Sequence, residues 1–156
     1  MKVSKIASAA IVLWVVTVAV GSWVFIRGNV ERGTDNRTAI VLKSGERDLI
    51  LKEMRGLLSA THGILDGINQ GNMALVSKAA RLAGMAAAAD VNPALMAKLP
   101  LPFKSMGMSV HRSMDDMAQA AEKGTPAPEI LKQLDGTLAL CVGCHSTWQL
   151  TADQGN

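Results

Sequence analysis

Apolar positions occur in two patterns along this chain, one continuous and one periodic. Residues 6–26 contain 21 consecutive positions without a charge, and most of them are apolar. A helix of that length spans a bilayer, and the stretch is longer than the usual apolar core of a secretory signal. Lys2 and Lys5 precede it, which favours a cytoplasmic N-terminus and an exported body. The sequence predicts a membrane anchor over residues 1–27. A cleaved signal is the alternative, since Ala19-Val20-Gly21 resembles a small-x-small cleavage site.

After residue 44, apolar residues recur every three or four positions, the spacing of an amphipathic helix. This periodicity, broken by Gly, Asn and Pro, predicts four helices, at 45–69, 73–89, 102–123 and 128–150. Residues 28–44 are predicted to be a polar linker with a short apolar interruption at 39–42, and no strand is expected. The predicted fold is therefore all-α, a four-helix bundle (45–156) that follows an N-terminal transmembrane helix.

The distribution of charges along the chain excludes one class of partner. The formal net charge is +3, but Lys2, Lys5 and Arg27 flank the apolar stretch. The other 13 basic residues are matched by 13 acidic residues, and the two signs are interspersed. No basic stripe of the kind that follows a phosphate backbone is present, so nucleic acid is not an expected partner.

The chain has only two cysteines, and both belong to the motif Cys141-Val142-Gly143-Cys144-His145. The spacing C-x-x-C-H is typical of covalent attachment of a c-type haem, with two thioether bonds and the imidazole on the iron. On a helix, positions i, i+3 and i+4 share one face, so these three side chains can meet one flat ligand. A redox-active dithiol or half of a zinc site are the alternatives. The first usually accompanies a βαβ pattern, and the second needs four N or S ligands.

A four-helix body with C-x-x-C-H on its last helix resembles the class II cytochromes c, the cytochrome c′-like family. The resemblance covers roughly residues 45–150, and the segment Pro102-Phe103…Gly107…His111…Asp115 is similar to the third helix of that family. It implies one covalently attached haem c, held by Cys141 and Cys144, with His145 as an axial ligand. Family members often carry an aromatic and then a basic residue after the motif. Here Trp148 is followed by Gln149, so the cation is missing at that position.

The family divides by what occupies the second axial position of the iron. Low-spin members place a methionine from the first helix there, and Met54 is the corresponding candidate, in the apolar stripe of residues 45–69. The alternative is that Met54 only fills the core, as methionine readily does. His62 and His111 lie at the edges of their stripes and are interpreted as partly exposed or hydrogen-bonded histidines rather than ligands.

These patterns together predict a membrane-anchored monohaem cytochrome that transfers single electrons and is not an enzyme. Its haem domain is expected in the periplasm, anchored to the inner membrane, or soluble there if a signal is cleaved. The expected partners are redox proteins, foremost membrane respiratory components, and a homodimer is left open. A five-coordinate haem protein that binds nitric oxide or carbon monoxide is the main alternative. An assembly subunit of a respiratory complex, with haem as a structural group, is the third.

Overall fold

The computed structural model describes residues 4–89 and 91–153, and most of them are helical. Within these ranges the elements are, in chain order, α1 (Lys5–Arg27), β1 (Val30–Arg32), β2 (Thr38–Leu42), α2 (Ser44–Asn69), α3 (Met73–Arg81), a 3₁₀ turn (Met85–Ala88), α4 (Pro93–Lys98), α5 (Leu101–Glu122), α6 (Ala127–Thr147) and β3 (Trp148–Ala152). The predicted helices at 45–69 and 102–123 are confirmed as α2 and α5, each within one residue at either end.

The N-terminal apolar stretch forms a single helix of 23 residues, α1, which begins at an N-cap serine, Ser4. Its most apolar window has a mean hydropathy of 2.4, and none of its residues is buried against the rest of the chain. It is long and apolar enough to cross a membrane, a property that anchors and signal sequences share.

The expectation that the chain forms no strand is wrong. β2 lies at the centre of a three-stranded sheet, antiparallel to β1 and parallel to β3. Ala39, Ile40 and Leu42 are almost completely buried there, in the segment predicted to be a polar linker. Its strand partner, β3, follows α6 directly, so α6 ends at Thr147 rather than at 150. Adjacent residues of β2, Ala39 and Ile40, are both buried, so the strand lacks the alternation of apolar and polar residues that would have predicted it.

The second predicted helix, 73–89, is also interrupted, because α3 ends at Arg81 and a 3₁₀ turn follows. The cause is a contact with α5. The carboxylate of Asp115 accepts a hydrogen bond from the backbone N–H of Met85 at 2.8 Å, and a Cβ at Gly84 would collide with that same carboxylate. Asp115 thereby satisfies the free N–H of the turn, as an N-cap side chain does.

Four helices pack in the order α2, α3, α5, α6, each against the next. One apolar core lies among these four helices, and a second lies where the sheet meets α4 and the start of α5. In contrast, α2 and α6, both described over their full length, make almost no contact with each other. The side of the assembly between α2 and α6 is therefore open. The helical fold is confirmed, and closure into a four-helix bundle stays a prediction.

The close approach of α2 to α3 depends on glycine and supplies a test of this packing. A Cβ at Gly67 would lie 2.8 Å from Val76 Cγ2 and 2.9 Å from the Val76 backbone nitrogen, which cannot move away cheaply. We expect Gly67→Ala to lower the free energy of unfolding by about 1–3 kcal/mol, the usual cost of overpacking.

Gly56→Ala on the same helix is the matched control, because no atom lies within 4 Å of its Cβ position. That change should stabilise the helix by up to about 1 kcal/mol. Urea unfolding followed by circular dichroism measures both, and equal effects would contradict the packing.

Candidate functional site

The C-x-x-C-H residues lie on the last two turns of α6, which stays helical through Thr147. Cys141, Cys144 and His145 therefore occupy positions i, i+3 and i+4 of one helix, as predicted. Both cysteines are free and half-buried, whereas His145 is exposed. The motif is at the edge of the core, because α2 does not cover this part of α6.

A cavity of about 140 Å³ lies beside the motif, between α2, α5, α6 and β3. Met54 of α2 lines it together with Cys144 and His145, although these residues are far apart in the sequence. Phe103 and Trp148 form an apolar part of the wall, with their rings edge to face and their centroids 6.3 Å apart. The structure therefore brings three of the four predicted site residues together around one cavity. Cys141 lies one turn earlier on α6 and is not among the lining residues.

A second cavity of about 90 Å³ adjoins the first, since Met54 and Phe103 line both. Gly107 of α5 lines the second cavity, and an added Cβ there would meet no atom within 4 Å. The interior around Met54 is thus incompletely filled, in contrast with the close packing usual in protein cores. His111 also lines this cavity, but its Nδ1 is bonded to the Ala83 carbonyl oxygen at 2.8 Å. This hydrogen bond confirms the structural interpretation of His111, and His62 is exposed on α2.

The open side between α2 and α6 is apolar on both of its helices. Exposed leucines follow the heptad spacing that keeps residues on one flank, at Leu58 and Leu65 on α2 and at Leu131 and Leu138 on α6. Both series lead to the cavity. Leu51, seven residues before Leu58, and His145, seven residues after Leu138, are among its lining residues. Exposed leucines that follow one flank of two neighbouring helices are typical of a ligand site or an interface.

Burial raises the pKa of both thiols, and the neighbouring Cys141 raises that of Cys144 further. The thiols are therefore protonated near neutral pH. A redox-active dithiol shows the opposite, because its attacking cysteine has a lowered pKa. Within the described ranges, no three His, Cys, Asp or Glu side chains converge in a way that could hold a metal ion.

Arg37, which sequence reasoning missed, lies at the end of the motif helix. Its Nη1 donates to the carbonyl oxygens of His145 at 3.1 Å and Trp148 at 3.4 Å. Its Nη2 lies 2.7 Å from the Asp35 carboxylate, which lowers the pKa of Asp35. Arg37 also lines the cavity of Met54, Cys144 and His145. A cation is thus present beside the site, although the position after Trp148 holds glutamine. No local signal predicts it, because 108 residues separate Arg37 from His145.

No protein-family model matches this chain, and no match was found among curated proteins or solved structures. The residues of the cavity and its open side are therefore the basis for assigning a function.

Proposed function

We propose that this protein is a membrane-anchored monohaem c-type cytochrome that transfers single electrons between redox partners, and that it is not an enzyme. The observation that carries the proposal is the shared cavity. It places a thioether, Met54, beside a C-x-x-C-H motif whose cysteines are free and whose helical geometry suits one flat ligand.

The residues present fit a covalently attached haem c in three respects. Cys141 and Cys144 are free thiols on one helix face, the arrangement that two thioether bonds need. His145 and Met54 line the same cavity and offer an imidazole and a thioether, which would both bind haem iron. The side between α2 and α6 is open and lined by leucines, so a large apolar ring can bury surface there that is now exposed.

In this proposal the haem supplies the one-electron chemistry, and the chain sets its surroundings. Met54 would supply its thioether sulfur to the iron and would keep other ligands away from it. Phe103 and Trp148 exclude water from the wall of the cavity. Arg37 holds the end of the motif helix through the carbonyl oxygens of His145 and Trp148, and its charge is paired with the Asp35 carboxylate.

The apolar helix α1 supports a location at the inner membrane, with the haem domain in the periplasm. The proposed partners are redox proteins, foremost membrane respiratory components. A chain released into the periplasm by signal cleavage is the alternative, and the haem proposal does not depend on which of the two holds.

A gas-binding haem protein is a second candidate, favoured by one observation. Met54 packs against the core cluster around Ile50 and Phe103, and a cavity lies directly beside it. If Met54 only fills the core, that cavity offers space for carbon monoxide or nitric oxide.

Visible spectra of the full chain, made in cells that mature c-type cytochromes, test the proposal. We expect the ferrous spectrum of six-coordinate, low-spin iron and little change on adding carbon monoxide, because Met54 blocks the site. The haem should also stay with the chain after acid-acetone extraction. Extractable haem together with two titratable thiols would overturn the proposal. Five-coordinate iron with fast carbon monoxide binding would instead favour the gas-binding candidate.

A further inference from the structure

A buried lysine joins the end of α1 to the helical body. Lys104 lies on the first turns of α5 and is only 6% exposed. Its Nζ donates to the carbonyl oxygens of Phe25 at 2.8 Å and Met96 at 3.1 Å. It also lies 3.4 Å from the centroid of the Phe25 ring. Burial lowers the pKa of this amine, and such a group is retained in proteins when it has specific partners.

The acceptor explains why a cation is placed there. Phe25 lies in the last turn of α1, where carbonyl groups have no partner within the helix and the dipole favours a positive charge. The chain then turns at Gly28, which has a φ of 68°, and a Cβ there would lie 2.5 Å from the Lys98 carbonyl oxygen. The next residue, Asn29, donates its backbone N–H to the same oxygen at 2.7 Å. The end of α1 is therefore fixed to α4 and α5, rather than joined through a flexible linker.

This junction lies at the same end of the body as the candidate site. Lys104 follows Phe103, whose ring lines the cavity with Cys144 and His145. α2 begins at this end and α6 finishes there, while the turns at Gly71 and Gly124 lie at the opposite end. With a rise of about 1.5 Å per residue, the 22 residues of α5 separate the two ends by roughly 33 Å.

Two side chains near the junction also indicate the level of the membrane surface. Trp23 and Arg27 stack at the end of α1, with the guanidinium carbon 5.0 Å from the indole centroid. Tryptophan and arginine at the end of an apolar helix are typical of the headgroup region. Phe25, whose carbonyl oxygen accepts the hydrogen bond from Lys104, lies between these two residues in the sequence.

We infer that the end of the body that carries Cys144 and His145 is held against the lipid headgroups by the junction of Lys104 and Gly28 with α1. The contact surface is the membrane-facing end around the starts of α2 and α5, and its partner is the headgroup layer. The consequence of this orientation for electron transfer rests on the proposed function. An electron carrier oriented in this way exchanges electrons with partners whose redox centres lie at the membrane surface, rather than with carriers that approach from the far end.

Spin labelling of the full, haem-loaded chain tests this orientation. One sample carries a nitroxide on Gly45→Cys, at the site end, where an added Cβ meets no atom within 4 Å. The other carries it on Lys123→Cys, exposed at the opposite end. In phosphatidylcholine vesicles that contain some gadolinium-chelate headgroups, we expect several-fold stronger relaxation enhancement for the label at position 45. Equal enhancement at both positions, or stronger enhancement at 123, would overturn the inference.

Two junction variants and one control complete the experiment. Lys104→Met removes the bonds to α1, and Gly28→Ala disrupts the turn from outside the helical core. Each should reduce the difference between the two labels, whereas Lys132→Met on exposed α6 surface should not. A difference that persists in both junction variants would overturn the role of the junction. Failure of the proposed function is visible separately, because a chain without thioether bonds takes up three labels instead of one.

Discussion

Replacing Cys144 with alanine is expected to remove most of the covalently bound haem from this protein. The two thiols are the only ones in the chain, they are free, and they lie one helical turn apart on α6. Each should form one thioether bond, so Cys141→Ala should also weaken attachment, and the double variant should abolish it. His145→Ala should differ in kind, because both thioether bonds remain while the iron loses its imidazole. Haem stain on denaturing gels and intact-mass spectrometry measure attachment, and visible spectra report the iron.

Val142→Ala is the matched control for these variants. Val142 lies inside the motif, but its side chain is 69% exposed and belongs to neither cavity. Its haem content should equal that of the unaltered chain. Haem that remains covalently attached in the double cysteine variant would show that C-x-x-C-H is not the attachment site.

Replacing Met54 with leucine is expected to change the iron from six-coordinate to five-coordinate or water-ligated. A thioether ligand stabilises ferrous iron, so its loss should lower the reduction potential and open the site to fast carbon monoxide binding. The fold should survive, because exchanging methionine for leucine nearly conserves volume and typically costs less than about 1.5 kcal/mol. Visible spectra, a redox titration and flash photolysis with carbon monoxide measure the three effects.

Met114→Leu makes the same chemical change in the other core cluster and serves as the control. Met114 is buried on α5, away from both cavities, so its replacement should leave the spectrum and the potential unchanged. A Met54→Leu variant that likewise keeps its spectrum and potential would count against ligation. If the unaltered ferrous protein already binds carbon monoxide quickly, and Met54→Leu leaves the spectrum unchanged, Met54 only fills the core. The gas-binding candidate would then be preferred.

The parts of the fold that sequence reasoning predicted correctly are those with a local cause. The apolar stretch at 6–26 and the periodic stretches at 45–69 and 102–123 form helices nearly to the residue. Each has a period or an apolar length that can be recognised within one segment. The alanine-rich stretch at 73–89 was predicted as one helix for the same local reason. It is interrupted because Asp115, on another helix, caps the turn at Met85.

The residues of the candidate site also divide into those with a local signal in the sequence and those without one. The spacing of Cys141, Cys144 and His145 on one helix face follows from their sequence positions alone. Met54 could only be proposed as their neighbour, and the shared cavity depends on how α2 lies relative to α6. Arg37 gave no signal at all, since it comes from a segment predicted to be a linker.

By itself, the sequence determined elements whose bonds close within a few residues: the apolar helix α1, the amphipathic helices α2 and α5, and the face of α6 that carries the motif. Only the tertiary structure decided which distant groups meet. It pairs β2 with β3, leaves the side between α2 and α6 open, and brings Arg37 to the end of α6. It also places the amine of Lys104 at the end of α1. The physical reason is that helix periodicity reports only the contacts of residues three or four positions apart. A contact between distant segments depends instead on the packing of the whole chain, and no local pattern records it.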